Sequence, residues 1–510
     1  MRIFMAQILL SVGLLAFPGT VSARQYFVDS ASGDDGNSGG SGSPLNTIRE
    51  ALFRCAEGDS VRIRSGLSYN ERRLLVGVKG VTLSNWGAGK PTIVGDYLNP
   101  GSSPEFPAGT TDPEKNDILR IAADDVRVLR IRFVDADFAG IAVRNGSGPK
   151  FENIEVKGCE TFNTGSSGML FDGCDELNVQ ENTIEKAVMS KAEECLTLKR
   201  CTNFDINRNT ITNRPQSDDL SQSGGEGIDI KVGCQTGVVR GNRVTDIEEK
   251  FGIYVDGWLE GVSDVEIFNN FVRNSGGISI ASEQGGLVDN IDIHGNIVVE
   301  CNAGVFFGEH QATYQSFTGL SGPVPSHPVE NIKVRFNTLI NNDGSGIRIA
   351  NDDLRNLEVN NNIMIGNGGR PISLPWIQNA QDVAVLKFSI DPEWGWGFWK
   401  NVQSAEDPVG QSVPAPASTY VLADDQNELF VQRFPLSDAR WNSRNLYYPL
   451  QQGENIPGGQ RSADSPAIDN GGDALTGEFI SGGYREDIVG NDRRSAMFNN
   501  LDQDIGAIER

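Results

Sequence analysis

Between Leu177 and Pro375 the chain repeats one pattern of apolar and polar positions. Each unit holds an alternating strand, an asparagine followed by an aliphatic strand, a polar turn, and then Gly-aliphatic-x-aliphatic. The series runs LNVQENTI with CLTLK, FDINRNTI with GIDIK, GVVRGNRV with GIYVD and VEIFNNFV with GISIA. It continues as IDIHGNIV with GVFFG, IKVRFNTL with GIRIA and LEVNNNIM with PISLP. The recurring asparagines are Asn182, Asn209, Asn242, Asn270, Asn296, Asn337 and Asn362, spaced 25–33 residues apart except for 41 between Asn296 and Asn337; Cys159 takes the equivalent place one coil earlier. Three short strands cannot bury a face alone, so such units must stack into a solenoid. A ladder of asparagine side chains would then satisfy buried amide groups from coil to coil.

The pattern fixes which side chains share a column. In each Gly-aliphatic strand the first, third and fifth residues alternate outward. The third-position column reads Leu170, Thr197, Asp229, Tyr254, Ser279, Phe306, Arg348, Ser373, and the fifth-position column Asp172, Lys199, Lys231, Asp256, Ala281, Gly308, Ala350. Charged and polar groups gather at Lys199, Glu226, Asp229, Lys231, Tyr254, Asp256 and Glu283. Insertions at 213–225 and 308–327 are expected to wall a groove beside them. Two readings fit these columns. One is a surface charge ladder in which Asp172, Lys199, Lys231 and Asp256 pair along the column; the other is a working site.

The remaining features bound the setting. The first residues carry Arg2, an apolar run from Ile3 to Phe17 and small residues at Val21 and Ala23. That is the form of a secretory signal with cleavage after Ala23, and it predicts a secreted or periplasmic protein. No later run is long enough to span a bilayer. The formal charge of −24 argues against nucleic-acid binding, which rests on phosphate neutralisation by Lys and Arg. The seven cysteines are too few for a disulfide scaffold in a chain of this length, and their odd number leaves at least one thiol unpaired within the chain.

From Val126 to Trp376 the repeats resemble those of the pectate-lyase-like superfamily. The stretch from Tyr26 to Gly66 is similar to the first coil and capping helix of its secreted members. Thr47 and Glu50 have capping-box spacing, predicting a short helix from Ile48 to about Cys55 that plugs the solenoid. SPAIDNGG at 465–472 and DIGAIER at 504–510 resemble closing segments. The resemblance implies an all-β right-handed parallel β-helix, a single domain over 24–510. Its parts would be a cap with first coils (24–125), regular repeats (126–376), a lateral excursion (377–459) and a closing segment (460–510).

The segment Glu226-Gly227-Ile228-Asp229-Ile230 is similar to the Asp-Asp-Gly-x-Asp-Leu calcium segment of family-nine polysaccharide lyases. By that likeness Glu226 and Asp229, with Asp256 beside them, would be metal ligands, and Ca2+ the implied cofactor. Gly225 replaces that family's first aspartate, and Tyr254 stands where it places its catalytic lysine. The candidate base is therefore Tyr254, if a neighbouring cation lowers its pKa, or Lys231, if burial lowers its own. Lys199, Glu283 and Arg348 are candidate substrate-binding groups. These expectations describe a monomer acting on an acidic polysaccharide by β-elimination or C5 epimerisation. Two alternatives stay open: a non-catalytic carbohydrate-binding or cell-surface β-helix, and a glycoside hydrolase pairing Asp229 with Asp256 or Glu283.

Other signals read as structural. Cys174, Cys201 and Cys234 end three successive strands and are expected to stack in the wall. His294, His310 and His327 are scattered without zinc spacing, and Trp394, Trp396, Phe398 and Trp399 are expected to anchor an irregular segment.

Overall fold

The computed structural model describes residues 23–95, 117–189, 193–212, 224–247, 249–308, 312–315, 318–351, 353–360, 362–365 and 367–368, followed by short strands at Ile372–Ser373, Gln381–Val385, Phe388–Ile390 and Tyr420–Leu422. The signal segment before residue 23, most of the 213–225 insertion, His310, Trp376, the aromatic run 391–400, and nearly all of the lateral and closing segments lie outside these residues. No helix among the described residues is long and apolar enough to cross a membrane.

Short alternating strands, each followed by a turn, stack into three parallel sheets. The first has 13 strands, from Gln25–Val28 to Gln381–Val385, and the second 13, from Ser68–Asn70 to Tyr420–Leu422. The third has 11, from Leu74–Val76 to Ile372–Ser373, and contains the Gly-aliphatic strands. Each strand pairs with its equivalent in the coils before and after, so the chain winds as a parallel β-helix. The inward aliphatic residues, among them Ile228, Ile230, Ile253 and Val255, form one continuous core that is fully buried.

The asparagine ladder is present rung for rung. Asn209 Nδ2 donates to Asn242 Oδ1 at 3.0 Å, and Asn242 Nδ2 donates to Asn270 Oδ1 at 3.0 Å. The series begins with the Cys159 amide on Asn182 Oδ1 and runs to Asn362. Each amide also donates to the carbonyl of a neighbouring coil, so no buried polar atom of the ladder is stranded. A second ladder, absent from the sequence reading, joins the Cys301 amide to Asn342 and Asn342 to Asn367.

At one end, the helix Ile48–Arg54 lays Ile48, Ala51 and Leu52 over the core. Thr47 Oγ1 accepts from the Glu50 amide at 3.2 Å, as the capping-box spacing predicts. The reciprocal half of the box is not formed. Asp35 Oδ1 takes the Thr47 amide, and Glu50 turns to Arg54 instead. Close packing also decides single positions: Phe204 pairs in register with Gly237, and a Cβ on Gly237 would fall 2.3 Å from the Phe204 ring.

Candidate functional site

The strand register brings the predicted columns into being. Leu170, Thr197, Asp229, Tyr254, Ser279, Phe306, Arg348 and Ser373 are successive partners, as are Asp172, Lys199, Lys231, Asp256, Ala281 and Gly308. Lys231, Asp229, Tyr254 and Asp256 therefore share one face. That face is not wet along its length: Asp229 and Asp256 are 1% exposed and Tyr254 5%. The turns that enter and leave the strands rise on both sides and enclose a cavity of about 520 Å3. Glu193, Glu194, Glu226, Glu249, Lys250 and Phe251 come from the entering turns, and Trp258, Glu283 and Gln315 from the leaving ones. Gln315 belongs to the 308–327 insertion, which is the wall the sequence predicts. Its amide is held 3.2 Å from Gln284 Oε1.

The charge ladder along the column does not form. Each charged member finds a partner from a wall or a neighbouring strand end instead. Asp172 is bound by Arg200 at 2.6 Å, and Lys199 by Glu193 at 2.6 Å. Lys231 Nζ lies 2.6 Å from Glu194 Oε1 and 3.1 Å from Asp229 Oδ2. Glu194 is itself fixed by Thr197 Oγ1, 2.9 Å from its other oxygen, and Thr197 by Ser167 at 3.0 Å. Asp256 shares a hydrogen bond with Glu283. The Oδ1 atoms of Asp229 and Asp256 have no hydrogen-bond partner among the described residues.

Crowded carboxyl groups in a buried trough resist ionisation. Burial, then the charge of Glu194, raises Glu226 to about 7. Burial pushes the Asp229 carboxyl up, against the opposing pull of Lys231. Asp256 rises through burial and the charges of Glu283 and Asp229.

Neither condition set for a base is met. The Tyr254 hydroxyl is raised, not lowered, because it is buried and faces Asp256 and Glu283 rather than a cation. Burial acts to lower Lys231, but Asp229 and Glu194 outweigh it and hold the amine well above its ordinary value. Both are poor proton acceptors as they stand. Tyr254 contributes its ring instead, 5.3 Å from Phe251, which in turn stacks on Phe306 at 5.9 Å.

A calcium ion does not fit the groups as arranged. No three His, Cys, Asp or Glu side chains among the described residues are disposed to hold a metal ion. The Lys231 ammonium occupies the point where Glu194 and Asp229 converge. Of the remaining candidates, Glu226, Lys199 and Glu283 line the cavity. Arg348 does not; it is exposed, with its guanidinium 5.2 Å from the Phe306 ring centre. Glu193, Glu194 and Lys250 escaped the sequence reading because they sit in turns outside the repeat. The sequence signal for them is the charged turn before two of the Gly-aliphatic strands, KAEE at 191–194 and IEEK at 247–250.

Cys174, Cys201 and Cys234 stack in the core as expected. The Cys201 amide lies 3.4 Å from Cys234 Sγ, and all seven cysteines are free thiols. His327 Nδ1 lies 2.5 Å from the Ser282 carbonyl and His294 stacks on Phe268, both in structural roles.

These features define a right-handed parallel β-helix protein with a carboxyl-rich lateral trough. Residues 115–262 match the family model described as "Right handed beta helix region". Among solved structures, the chain is similar to pectate lyase Pel9A at 13% identity, covering 96% of this chain and 98% of that one with a TM-score of 0.42. It is also similar to the polygalacturonase from Erwinia carotovora ssp. carotovora at 12% identity, covering 70% and 95% with a TM-score of 0.44. The A-module of the Azotobacter vinelandii mannuronan C-5 epimerase matches at 12% identity, covering 62% and 89% with a TM-score of 0.35. No curated protein sequence matches the chain.

Proposed function

We propose that the trough hydrolyses a polysaccharide by proton transfer between carboxyl groups, with Asp256 as general acid and Asp229 as general base. The observation that carries this reading is the unequal surroundings of the two aspartates. Burial raises both carboxyls, but Asp256 shares a hydrogen bond with Glu283 that raises it further, whereas Asp229 lies 3.1 Å from the Lys231 ammonium, which opposes the rise. One carboxyl kept protonated and another beside a cation are what acid–base cleavage of a glycosidic bond needs. Asp256 gives its proton to the leaving oxygen as the bond to the anomeric carbon breaks. Asp229 takes a proton from the water whose hydroxyl joins that carbon. The two residues are one strand and two positions apart, which puts their backbones about 8 Å from each other.

The rings of Phe251, Tyr254 and Trp258 line the same cavity and offer stacking surfaces for pyranose faces. Seven carboxyl side chains line it against three amines, so a polyuronate would meet net repulsion. The reading therefore favours a neutral glycan over the acidic one expected from sequence. β-Elimination and epimerisation require an available base and a cation for the uronate carboxylate. Of the three amines, Lys199 and Lys231 are engaged by Glu193, Glu194 and Asp229, and the charge of Lys250 acts on Glu226.

The test is a panel of neutral and acidic polysaccharides, assayed for new reducing ends and for the ultraviolet absorbance of an unsaturated uronate. Reducing ends without the chromophore, lost in Asp256→Asn and Asp229→Asn, are expected. An unsaturated product would restore the lyase reading. Binding without any product would make the protein a carbohydrate-binding β-helix.

A further inference from the structure

One inward column of the first sheet changes character at three successive rungs: Phe151, Cys174, Cys201, Cys234, Val262, Val288. All three cysteines are fully buried. Hydrogen bonds join the Cys201 thiol to those of Cys174 and Cys234, and the Cys201 amide lies 3.4 Å from Cys234 Sγ. Valine fills the same column in the coils that follow, so packing alone does not call for three thiols. Neighbouring rungs lie about 4.8 Å apart. Side chains that point the same way at Cα separations of about 4.4–6.8 Å are within disulfide reach. Two rungs, about 10 Å, exceed it. Cys201 therefore reaches either neighbour, whereas Cys174 and Cys234 do not reach each other. The other four cysteines have no cysteine on the next rung. Cys55 ends the capping helix, Cys159 and Cys301 stand beside Asn182 and Asn342, and Cys195 falls between Gly168 and Gly227.

We propose that this stack is a redox site that takes a single disulfide, with Cys201 as its obligatory member and Cys174 or Cys234 as its partner. The oxidant is an external disulfide such as oxidised glutathione. One stack thiolate attacks a sulfur of the reagent and expels a thiol; a second stack thiolate then displaces the other half and closes the internal S–S bond. Two stack thiols give up two protons and two electrons, and the reagent leaves as two thiols. Burial keeps the sulfurs from the reagent in the closed solenoid, so the exchange runs while the coils wind or when they open locally. The bond's position gives it a consequence. Cys201 follows Lys199 by two residues and Cys234 follows Lys231 by three, in the turns that leave the trough strands. A bridge between them ties the coil that carries Glu194 to the coil that carries Lys231, whichever reaction the trough performs.

The full-length protein, reduced and then freed of reductant, is held with oxidised glutathione in two arms, one folded and one refolding from urea. Thiols are then counted in denaturant, and bridges are mapped by mass spectrometry of unreduced peptides. The seven thiols should fall to five in at least one arm, because one bond consumes two, and the mapped bridge should contain Cys201. Cys174→Ser and Cys234→Ser should each still form a bridge through the remaining neighbour, whereas Cys201→Ser should form none. Seven thiols retained in both arms overturn the proposal. So does a bridge that omits Cys201, a glutathione adduct in place of an internal bridge, or a bridge that survives Cys201→Ser. If the serine variants do not fold, the thiol count and map of the wild type decide alone. None of these readouts depends on turnover, so an error in the assigned reaction would not alter them.

Discussion

Lys231 and Glu194 lie 37 residues apart in the chain, yet their Nζ and Oε1 atoms meet at 2.6 Å inside the trough. The contact exists because one coil's entering turn overhangs the next coil's strand. Removing one partner of such a pair strands the other charge at low dielectric. Glu194→Gln keeps the shape and the Thr197 contact but drops the charge, and should cost about 1–3 kcal/mol. A double-mutant cycle with Lys231→Met, read from urea midpoints, should give a coupling above about 1 kcal/mol. Additive effects would mean that the pair is solvent-screened.

Tyr254 and Asp256 separate the two accounts of the base. Tyr254→Phe keeps the ring against Phe251 and should leave turnover within a few-fold of wild type, with the pH profile unmoved. Asp256→Asn removes the proton donor and should lower turnover by about 10²–10⁴-fold. The opposite ranking would return the role to the tyrosine.

Asn242 makes four rung contacts from one side chain. Nδ2 donates to the Ile206 carbonyl and to Asn270, while Oδ1 accepts from the amide and side chain of Asn209. Asn242→Ala leaves those buried groups without partners and should destabilise by about 2–4 kcal/mol in urea unfolding. Asn203, whose amide reaches only Asp175 at the exposed corner, should cost under about 1 kcal/mol as the matched control.

Phe204 fills the space that Gly237 leaves bare in the next coil. Gly237→Ala should destabilise by about 1–3 kcal/mol through overpacking. Adding Phe204→Leu should recover part of that loss, whereas Phe204→Leu alone destabilises by opening a gap. Thermal melts of the two single variants and the double variant test the compensation.

Asp29 sets an acid limit on the capped end. Burial acts to raise its carboxyl, but Ser32, Arg64 and the backbone amides of Ala31 and Ser32 bind the ionised form and hold it at about 2. A carboxyl lowered in the folded state adds stability that is complete above its ordinary value of 3.8 and vanishes as pH falls through about 2. Asp29→Asn should therefore cost about 2 kcal/mol at neutral pH and little near pH 2. Melting curves across that range check the sign.

The sequence by itself determined the coil, the asparagine rungs and the membership of each column. All three follow from a repeat whose period and alternation are local properties, and parallel pairing transmits one coil's register to the next. It therefore placed Asp229, Lys231, Tyr254 and Asp256 on one face without coordinates. Only the tertiary structure decided what those groups are. Glu193, Glu194 and Lys250 arrive from turns that obey no period, so the repeat does not place them. Their arrival walls the trough and changes the charge environment of its carboxyl groups. Lys231 turns from a candidate base into a committed cation because Glu194 stands beside it, and Tyr254 keeps its proton because carboxyl groups surround it. Register is set by neighbours along the chain, whereas protonation is set by the whole charge environment in space.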